Sequence, residues 1–278
     1  MDFCTYFDSA YLGRAIVCRH TLMEQSAARL FVLCLDERTE KVVRSWANSV
    51  VIRLGDIEAY RPSLLTVKAS RLPKEYYATM TPVLPQFIFD NFGTRTLFYT
   101  DADIAFWSPA EEIEDQLGDH SLLVTPHENP IAYVAGRFNV GILGYKNDHN
   151  CRKFLEWWEA RCLEWCEWRA LPDGRMADQG YLSELLNPPG RFQGVMMNPH
   201  PGINLGPWNL AMHRTEEKAG KIVLDCRHNL VCYHYHGYKN VGGKCVNDTG
   251  WEVSPWNMEH IYHPYHEMIL RAQAGKLV

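Results

Sequence analysis

The sequence predicts an α/β protein with a mostly parallel central sheet flanked by helices and a smaller, irregular C-terminal part. Over the first hundred residues, apolar runs of strand length such as FVLCL, SVVIRL and LFYT alternate with segments whose apolar residues recur at helical spacing. Strands alternating with helices imply βαβ units and hence parallel pairing. The chain has 278 residues, 46% of them hydrophobic, which is enough to bury a large core without a covalent staple.

Taken in order, FCTYF at 3–7 reads as a strand and 11–25 as a helix, with Asp8 or Ser9 as its cap. A strand at 29–35, a short charged helix near 37–46 and a strand at 49–54 follow. Residues 75–91 have helical spacing interrupted by Pro82 and Pro85, and the strand at 94–100 runs directly into Asp101-Ala102-Asp103. Further on, 121–127 and 137–145 are strand-like, 148–168 is a long Trp-rich amphipathic helix and 176–186 a shorter one. Pro, Gly and Asn dominate 187–208, which reads as irregular. Strands at 221–226 and 229–236, a Gly-rich loop and a terminal helix near 258–274 complete the chain. Repeats and long linkers are lacking, so one domain is expected over 1–278.

Composition excludes several classes. With 28 Lys and Arg against 33 Asp and Glu, there is no basic excess to suggest nucleic acid as a partner. Nine Trp, fourteen Tyr and eleven Phe are too many for a disordered chain. The start, MDFCTYFDSAYLGR, lacks the cationic stretch and apolar run of a secretory signal, and no window is apolar enough to span a bilayer. Nine cysteines without a CxxC pair fit a reducing cytoplasm, and Cys162 and Cys166 read as helix packing. The oligomeric state is left open.

Three constellations bear chemistry. In LFYTDADIAFW, Asp101 and Asp103 sit two apart, so on extended backbone they point to the same side. Carboxylates that close repel unless a cation or proton lies between them, and their hard oxygens suit Mg²⁺ or Mn²⁺. A strand-end turn with two solvated aspartates is the plainer alternative. In VCYHYHG, His234 and His236 share a side, and imidazole beside carboxylates shifts preference toward Mn²⁺. RFNVG and ADQGYL place Asn139, Asp178 and Gln179 among apolar neighbours; such side chains can bind sugar hydroxyls, or simply cap a helix and close a turn.

The order FCTYFDSAYL, YTDADIAFW, RFNVG, ADQGYL, YHYHG resembles the GT-A nucleotide-diphospho-sugar glycosyltransferases, nearest to glycosyltransferase family 8, the glycogenin and lipopolysaccharide galactosyltransferase group. EYYATMTPVLPQFI, CLEWCEWR and HPGINLGPWN are similar to bacterial cytoplasmic glycosyltransferases close to that family. The resemblance spans about 3–240 and implies a nucleotide-binding half at 1–120, a donor-sugar and acceptor half at 121–250 and a tail at 251–278. It implies Mn²⁺ or Mg²⁺ on Asp101, Asp103 and His234, with His236 as the competing ligand. Thr5, Tyr6 and Tyr11 would hold base and ribose, with Ala102 by the ribose, while Asn139, Asp178 and Gln179 would contact donor sugar or acceptor. The family's ending becomes HYHGYKNVGGK, so the phosphate-binding lysine falls on Lys239 or Lys244. The family's Arg before the DxD is replaced by YATMTP, with Lys74 or Arg71 as substitutes.

The resemblance further implies retaining transfer from a nucleotide-diphosphate sugar, UDP-sugar favoured, to a glycan or lipid-linked acceptor. The expected location is cytoplasmic, with peripheral contact at the inner membrane through the aromatic tail. Trp208 is a candidate to stack on a sugar ring or to lie in the core. The competing readings are a sugar-nucleotide-binding protein without turnover, a DxD phosphatase and a nucleotidyltransferase. A phosphatase would carry its triplet on the first strand, and a nucleotidyltransferase would need a Gly-rich N-terminal loop.

Overall fold

The computed structural model describes residues 1–186 and 191–277. The first half alternates as the sequence suggests: β1 (Asp2–Phe7), α1 (Leu12–Gln25), β2 (Arg29–Cys34), α2 (Glu37–Val43), β3 (Ser49–Arg53), α3 (Leu54–Tyr60), α4 (Ser63–Lys68), α5 (Pro73–Thr79), α6 (Val83–Phe92) and β4 (Thr96–Thr100). There follow β5 (Ile104–Phe106), α7 (Glu111–Leu117), β6 (Leu122–Pro126), β7 (Phe138–Lys146), α8 (His149–Glu164) and β8 (Val195–Met197). The remainder holds β9 (Thr215–Lys218), β10 (Lys221–Leu224), β11 (His228–Asn229), β12 (Cys232–His234), β13 (Tyr238–Val241), β14 (Lys244–Asn247), α9 (Pro255–Asn257) and α10 (His263–Gln273).

Seven strands form the central sheet in the order β3-β2-β1-β4-β7-β6-β8. Pairs β3/β2, β2/β1, β1/β4 and β6/β8 are parallel, whereas β7 runs antiparallel to both β4 and β6. The sheet is buried on both faces, which is why its first strands read as continuous apolar runs. Along β2, Phe31 and Leu33 join one core cluster, while Leu30 and Val32 join the other. A third cluster lies under β12 and α10, where Tyr235 stacks on Tyr265 with ring centroids 3.6 Å apart.

Several local expectations are corrected. Tyr11 occupies the N-cap of α1 without a side-chain bond. Asp8 instead accepts from Ala10 N, and the Ser9 N–H donates to Asp36, the N-cap of α2. The segment 75–91 is two helices: Pro82 caps α6 and Pro85 falls in its first turn, where no intrahelical donor is needed. Residues 176–186 wind as a 3₁₀ segment, Gln179–Leu186, in place of an α-helix. The single strand expected at 229–236 divides between β11 and β12, and β12 leaves the central sheet to pair with β5. The Gly-rich loop is a hairpin in which Gly242 and Gly243 both have positive φ, +58° and +82°, as a tight two-residue turn requires. The stretch 187–208 contributes edge strand β8, and its residues 187–190 lie outside the described ones.

Candidate active site

A cleft of about 790 Å³ opens beyond the carboxyl ends of β1, β2 and β4, where ligands bind in sheets of this kind. Phe7 and Asp8 reach it from β1, Leu35 from β2, and Asp101, Ala102 and Asp103 from β4. Asp101–Asp103 is a turn leading into β5, closed by Ile104 N–H to Asp101 O at 3.3 Å. The carboxylates therefore converge through a turn rather than through the extended parity the sequence suggested. Both face His234, whose Nε2 lies 3.2 Å from Asp103 Oδ1 and 3.6 Å from Asp101 Oδ2. One ligand atom from each of the three lies within 4.8 Å of the other two. His236 lines the cleft but stands outside this triad.

A polarised chain of hydrogen bonds orients the triad. His127 Nδ1 meets Gly136 O at 2.8 Å, leaving Nε2 to accept from Asn139 Nδ2 at 3.3 Å. Asn139 Oδ1 accepts from Asn204 Nδ2 at 2.9 Å and from the Gly141 N–H at 2.7 Å. Asn204 Oδ1 then faces His234 Nδ1 at 3.1 Å, so the network places an N–H on Nδ1 and aims Nε2 at the aspartates, where it donates to Asp103 when protonated and offers a lone pair to a cation when neutral. Burial holds His127 near a pKa of about 4, so it is neutral and can accept as the chain requires. On the other side, the Tyr99 hydroxyl donates to Asp101 Oδ1 at 2.7 Å.

The charges interlock. Burial pushes the Asp101 carboxyl up, and Asp103 adds to this against the pull of His234 and Tyr99. Burial also opposes ionisation of Asp103, but His234, with His236 and Arg14 beyond it, brings its pKa down to about 2. For His234, burial disfavours the charge, yet Asp103 and Asp101 outweigh it and raise the pKa. Two carboxylate oxygens and one imidazole nitrogen form a donor set suited to Mn²⁺ and acceptable to Mg²⁺. The lining adds Asp8 and Asp178, against Lys74 as its Lys or Arg among the described residues.

Most of the sequence candidates meet here. Tyr6, Tyr11, Ala102, Asn139, Asp178 and Gln179 all line the cleft with the triad. Thr5, Lys239, Lys244 and Arg71 do not. Thr5 is a buried side chain of β1, and Lys239 stands exposed on the β13–β14 hairpin, paired with Asp248; Lys244 is likewise exposed on that hairpin. Arg71 bonds Thr79 and the Leu163 carbonyl, so Lys74, over the Trp168 ring, is the cation that reaches the cleft. Asp178 is 3% exposed, its Oδ2 buried without a hydrogen-bond partner, and burial, with Asp101 adding, pushes its pKa up to about 7 against the pull of the nearby Thr81 hydroxyl. Both ends of the Gln179 amide are bonded to backbone, at Val140 N and Ala135 O. Trp208 is 5% exposed and lines the cleft, its ring nearly perpendicular to those of His127 and His234, so it is chiefly a packing residue of the site.

His127, Asn204, Tyr99 and Asp8 were missed in the sequence. His127 follows a strand end, as the DxD does, and was the readable signal. Asn204 had none, since its role depends on a contact with residues 65 positions earlier and 30 later.

No protein-family model matches the chain. The uncharacterized protein YfnF of Bacillus subtilis (strain 168) is 30% identical over 283 aligned residues, covering 96% of this chain and 91% of that one. The chain belongs to the YfnF family. Among solved structures, the galactosyltransferase LgtC, in complex with donor and acceptor sugar analogs, superposes with a TM-score of 0.63 at 16% identity, covering 100% of this chain and 96% of LgtC. Mouse xyloside xylosyltransferase 1, in its apo form, gives 0.54 at 11% identity over 84% of this chain and 97% of that one. The fold is the GT-A glycosyltransferase fold, as the motif order implied.

Proposed function

We propose that this protein is a metal-dependent glycosyltransferase that moves a sugar from a nucleotide-diphosphate donor, UDP-sugar favoured, to a glycan or lipid-linked acceptor with retention at the anomeric carbon. The observation that carries the proposal is the convergence of Asp101, Asp103 and His234 at the foot of a 790 Å³ cleft on this fold. A donor set of this kind fits a divalent cation, which when bound would neutralise charge developing on a diphosphate leaving group.

The chain's own residues divide the remaining work. Asp101 and Asp103 would hold the cation, with Asp101 fixed by Tyr99 and His234 fixed by Asn204. Tyr6 and Tyr11 offer aromatic surface for the base and ribose, and Ala102, with its small side chain, lets the ribose approach the turn. Lys74 adds positive charge from the cleft's rim, taking the place of the expected hairpin lysine. Asp178 sits 97% buried near its titration midpoint at neutral pH, able to hydrogen-bond a sugar hydroxyl as donor or acceptor. The acceptor is read as a glycan or a lipid-linked sugar, reached by a protein working in the cytoplasm or peripherally at the inner membrane; no helix among the described residues is long and apolar enough to cross a membrane.

The test is calorimetric titration with UDP, GDP and related nucleotides, with and without Mn²⁺, on the wild type and on Asp103→Ala. Binding of one nucleotide that needs both Mn²⁺ and Asp103 is expected. With a donor in hand, Asp103→Ala should lower turnover roughly a thousandfold, about 4 kcal/mol of transition-state stabilisation. Absence of nucleotide binding in every condition would refute the reading, and metal-dependent binding without transfer would reduce it to a nucleotide-sugar-binding protein.

A further inference from the structure

One wall of the cleft is a 3₁₀ segment, Pro130–Ala135, of which Ile131, Ala132, Val134 and Ala135 line the cavity. Its far end is fixed to the body by Gln179 Nε2 to Ala135 O at 2.8 Å and by the Arg137 N–H to Ser183 Oγ at 3.0 Å. Its near end is tied by Asn129 Nδ2 to Trp208 O at 2.7 Å and, one residue earlier, by Glu128. Glu128, in the left-handed region at φ +59°, accepts from Asn209 Nδ2 at 2.7 Å and from His213 Nε2 at 3.2 Å. The other His213 nitrogen, Nδ1, meets Asp225 Oδ2 at 2.8 Å, and the Arg214 N–H anchors the second Asp225 oxygen at 3.0 Å. Asp225 also has a positive φ, +53°. For Glu128 this conformation is uncommon and needs partners that fix it, whereas Asp225, with Cys226, takes it as part of the turn between β10 and β11.

We propose that His213 is a positioning residue for the cleft, a clasp that joins Glu128 and Asp225 and so fastens the Pro130–Ala135 wall to the turn after β10. The geometry makes the clasp sensitive to protonation. An imidazole can donate to two carboxylates only as the imidazolium; neutral, it has one N–H, and one acid loses its donor. The charged groups facing it are Glu128 and Asp225. Arg214 turns its guanidinium to Glu216 at 3.3 Å, and His228 acts on Asp225 rather than on His213. Glu128 foremost, and Asp225 with it, raise the His213 pKa above 6.5 against the opposing effect of burial. A raised folded-state pKa means that the link is complete below about pH 6.5 and is lost as pH rises through the folded value. His213 makes no hydrogen bond or ion pair to Asp101, Asp103 or His234, and the clasp stands whatever chemistry the cleft performs.

Hydrogen exchange of the metal-free protein tests this without any substrate. The Ala132 and Gly136 amides, bonded within the wall to Asn129 O and Tyr133 O, are the reporters. After correction for the intrinsic pH dependence of exchange, their protection should fall roughly tenfold in the wild type as pH rises from 6 through the folded pKa of His213, located by NMR titration of that imidazole. His213→Gln should exchange fast throughout that range. Glu128→Gln should stay protected throughout it, because a neutral imidazole can donate to Asp225 and accept from the new amide. Protection that is independent of pH in the wild type, or a Glu128→Gln variant that keeps the wild-type pH response, would overturn the proposal.

Discussion

At the scale of single residues, Gly141 shows how little freedom the site has. A Cβ there would lie 2.5 Å from His234 Nδ1, 2.6 Å from Asn204 Oδ1 and 2.7 Å from Asn139 Oδ1. These are the atoms of the chain that aims His234, so no flexible side-chain end can swing clear. Gly141→Ala should cost about 1–3 kcal/mol through overpacking and should also tilt His234, so that metal affinity falls roughly 10–100-fold, as loss of an orienting partner does elsewhere. Thermal melts and Mn²⁺ titration of the variant check both, and a variant with unchanged Mn²⁺ affinity would show that the network does not set the ligand's orientation. The glycine belongs to the RFNVG motif visible in the sequence, yet its reason was not. A motif names a residue, but the steric need for it comes from His234 and Asn204, more than 60 positions away. The DxD aspartates were legible because strand and motif are contiguous. His234 could be separated from His236 only once β12 had paired with β5 and ended at residue 234.

At the scale of elements, the legible parts were those with a strong local period or a long apolar run. Strands β1, β2, β3 and β4 and helices α1 and α8 carry such signals. Helices α3, α4 and α7 span only six or seven residues each, too few to show a period. The 3₁₀ winding of Gln179–Leu186 reflects tertiary bonds, since the Gln179 side chain is held by Val140 and Ala135 across the cleft. The start of α2 is the converse case, where a local cap has a remote second role. Asp36 accepts from Thr39 N at 2.8 Å and, through its other oxygen, from the Ser9 N–H at 2.7 Å, so one carboxylate starts a helix and pins the turn after β1. Asp36→Ala should cost about 1–2 kcal/mol and lower Tm by about 2–8 °C, while Asp36→Asn should recover only part of that, because its one amide oxygen can accept from Thr39 N but its NH2 cannot accept from the Ser9 N–H. Burial works against the Asp36 charge, but the Thr39 and Ser9 amides outweigh it and hold its pKa below 3.8. A depressed folded pKa means the bonus is present above that ordinary value and is lost as pH falls through the folded one. Melts of wild type and Asp36→Ala should therefore differ at pH 7 and converge in strong acid; a difference undiminished there would place the effect in packing instead of charge.

At the scale of the molecule, strand order was the least legible feature, because nothing local in 137–145 says that β7 inserts antiparallel between β4 and β6. That insertion decides the site. It brings Asn139 and Gly141 beside the β4–β5 turn, while β12, paired with β5, brings His234 from more than a hundred residues downstream. Tyr235, the next residue, stacks on Tyr265 of α10, so the C-terminal segment expected as a tail is packed directly behind the proposed metal ligand His234. A site assembled from segments so distant in sequence exists only when the whole fold does, so ligands that bind it should stabilise the whole cooperative unit. At a hundred times its Kd, a ligand specific for the folded state adds about 2.7 kcal/mol, which for a chain of this size raises Tm by about 5–10 °C. UDP with Mn²⁺ should shift the entire calorimetric transition by that amount, and each component alone should shift it much less. Asp103→Ala should remove the synergy while leaving the ligand-free melt a single transition. A transition that divided in two on adding both ligands would mean that the C-terminal segment unfolds apart from the central sheet, and that His234 is delivered to the site by docking and not by the fold's own cooperativity.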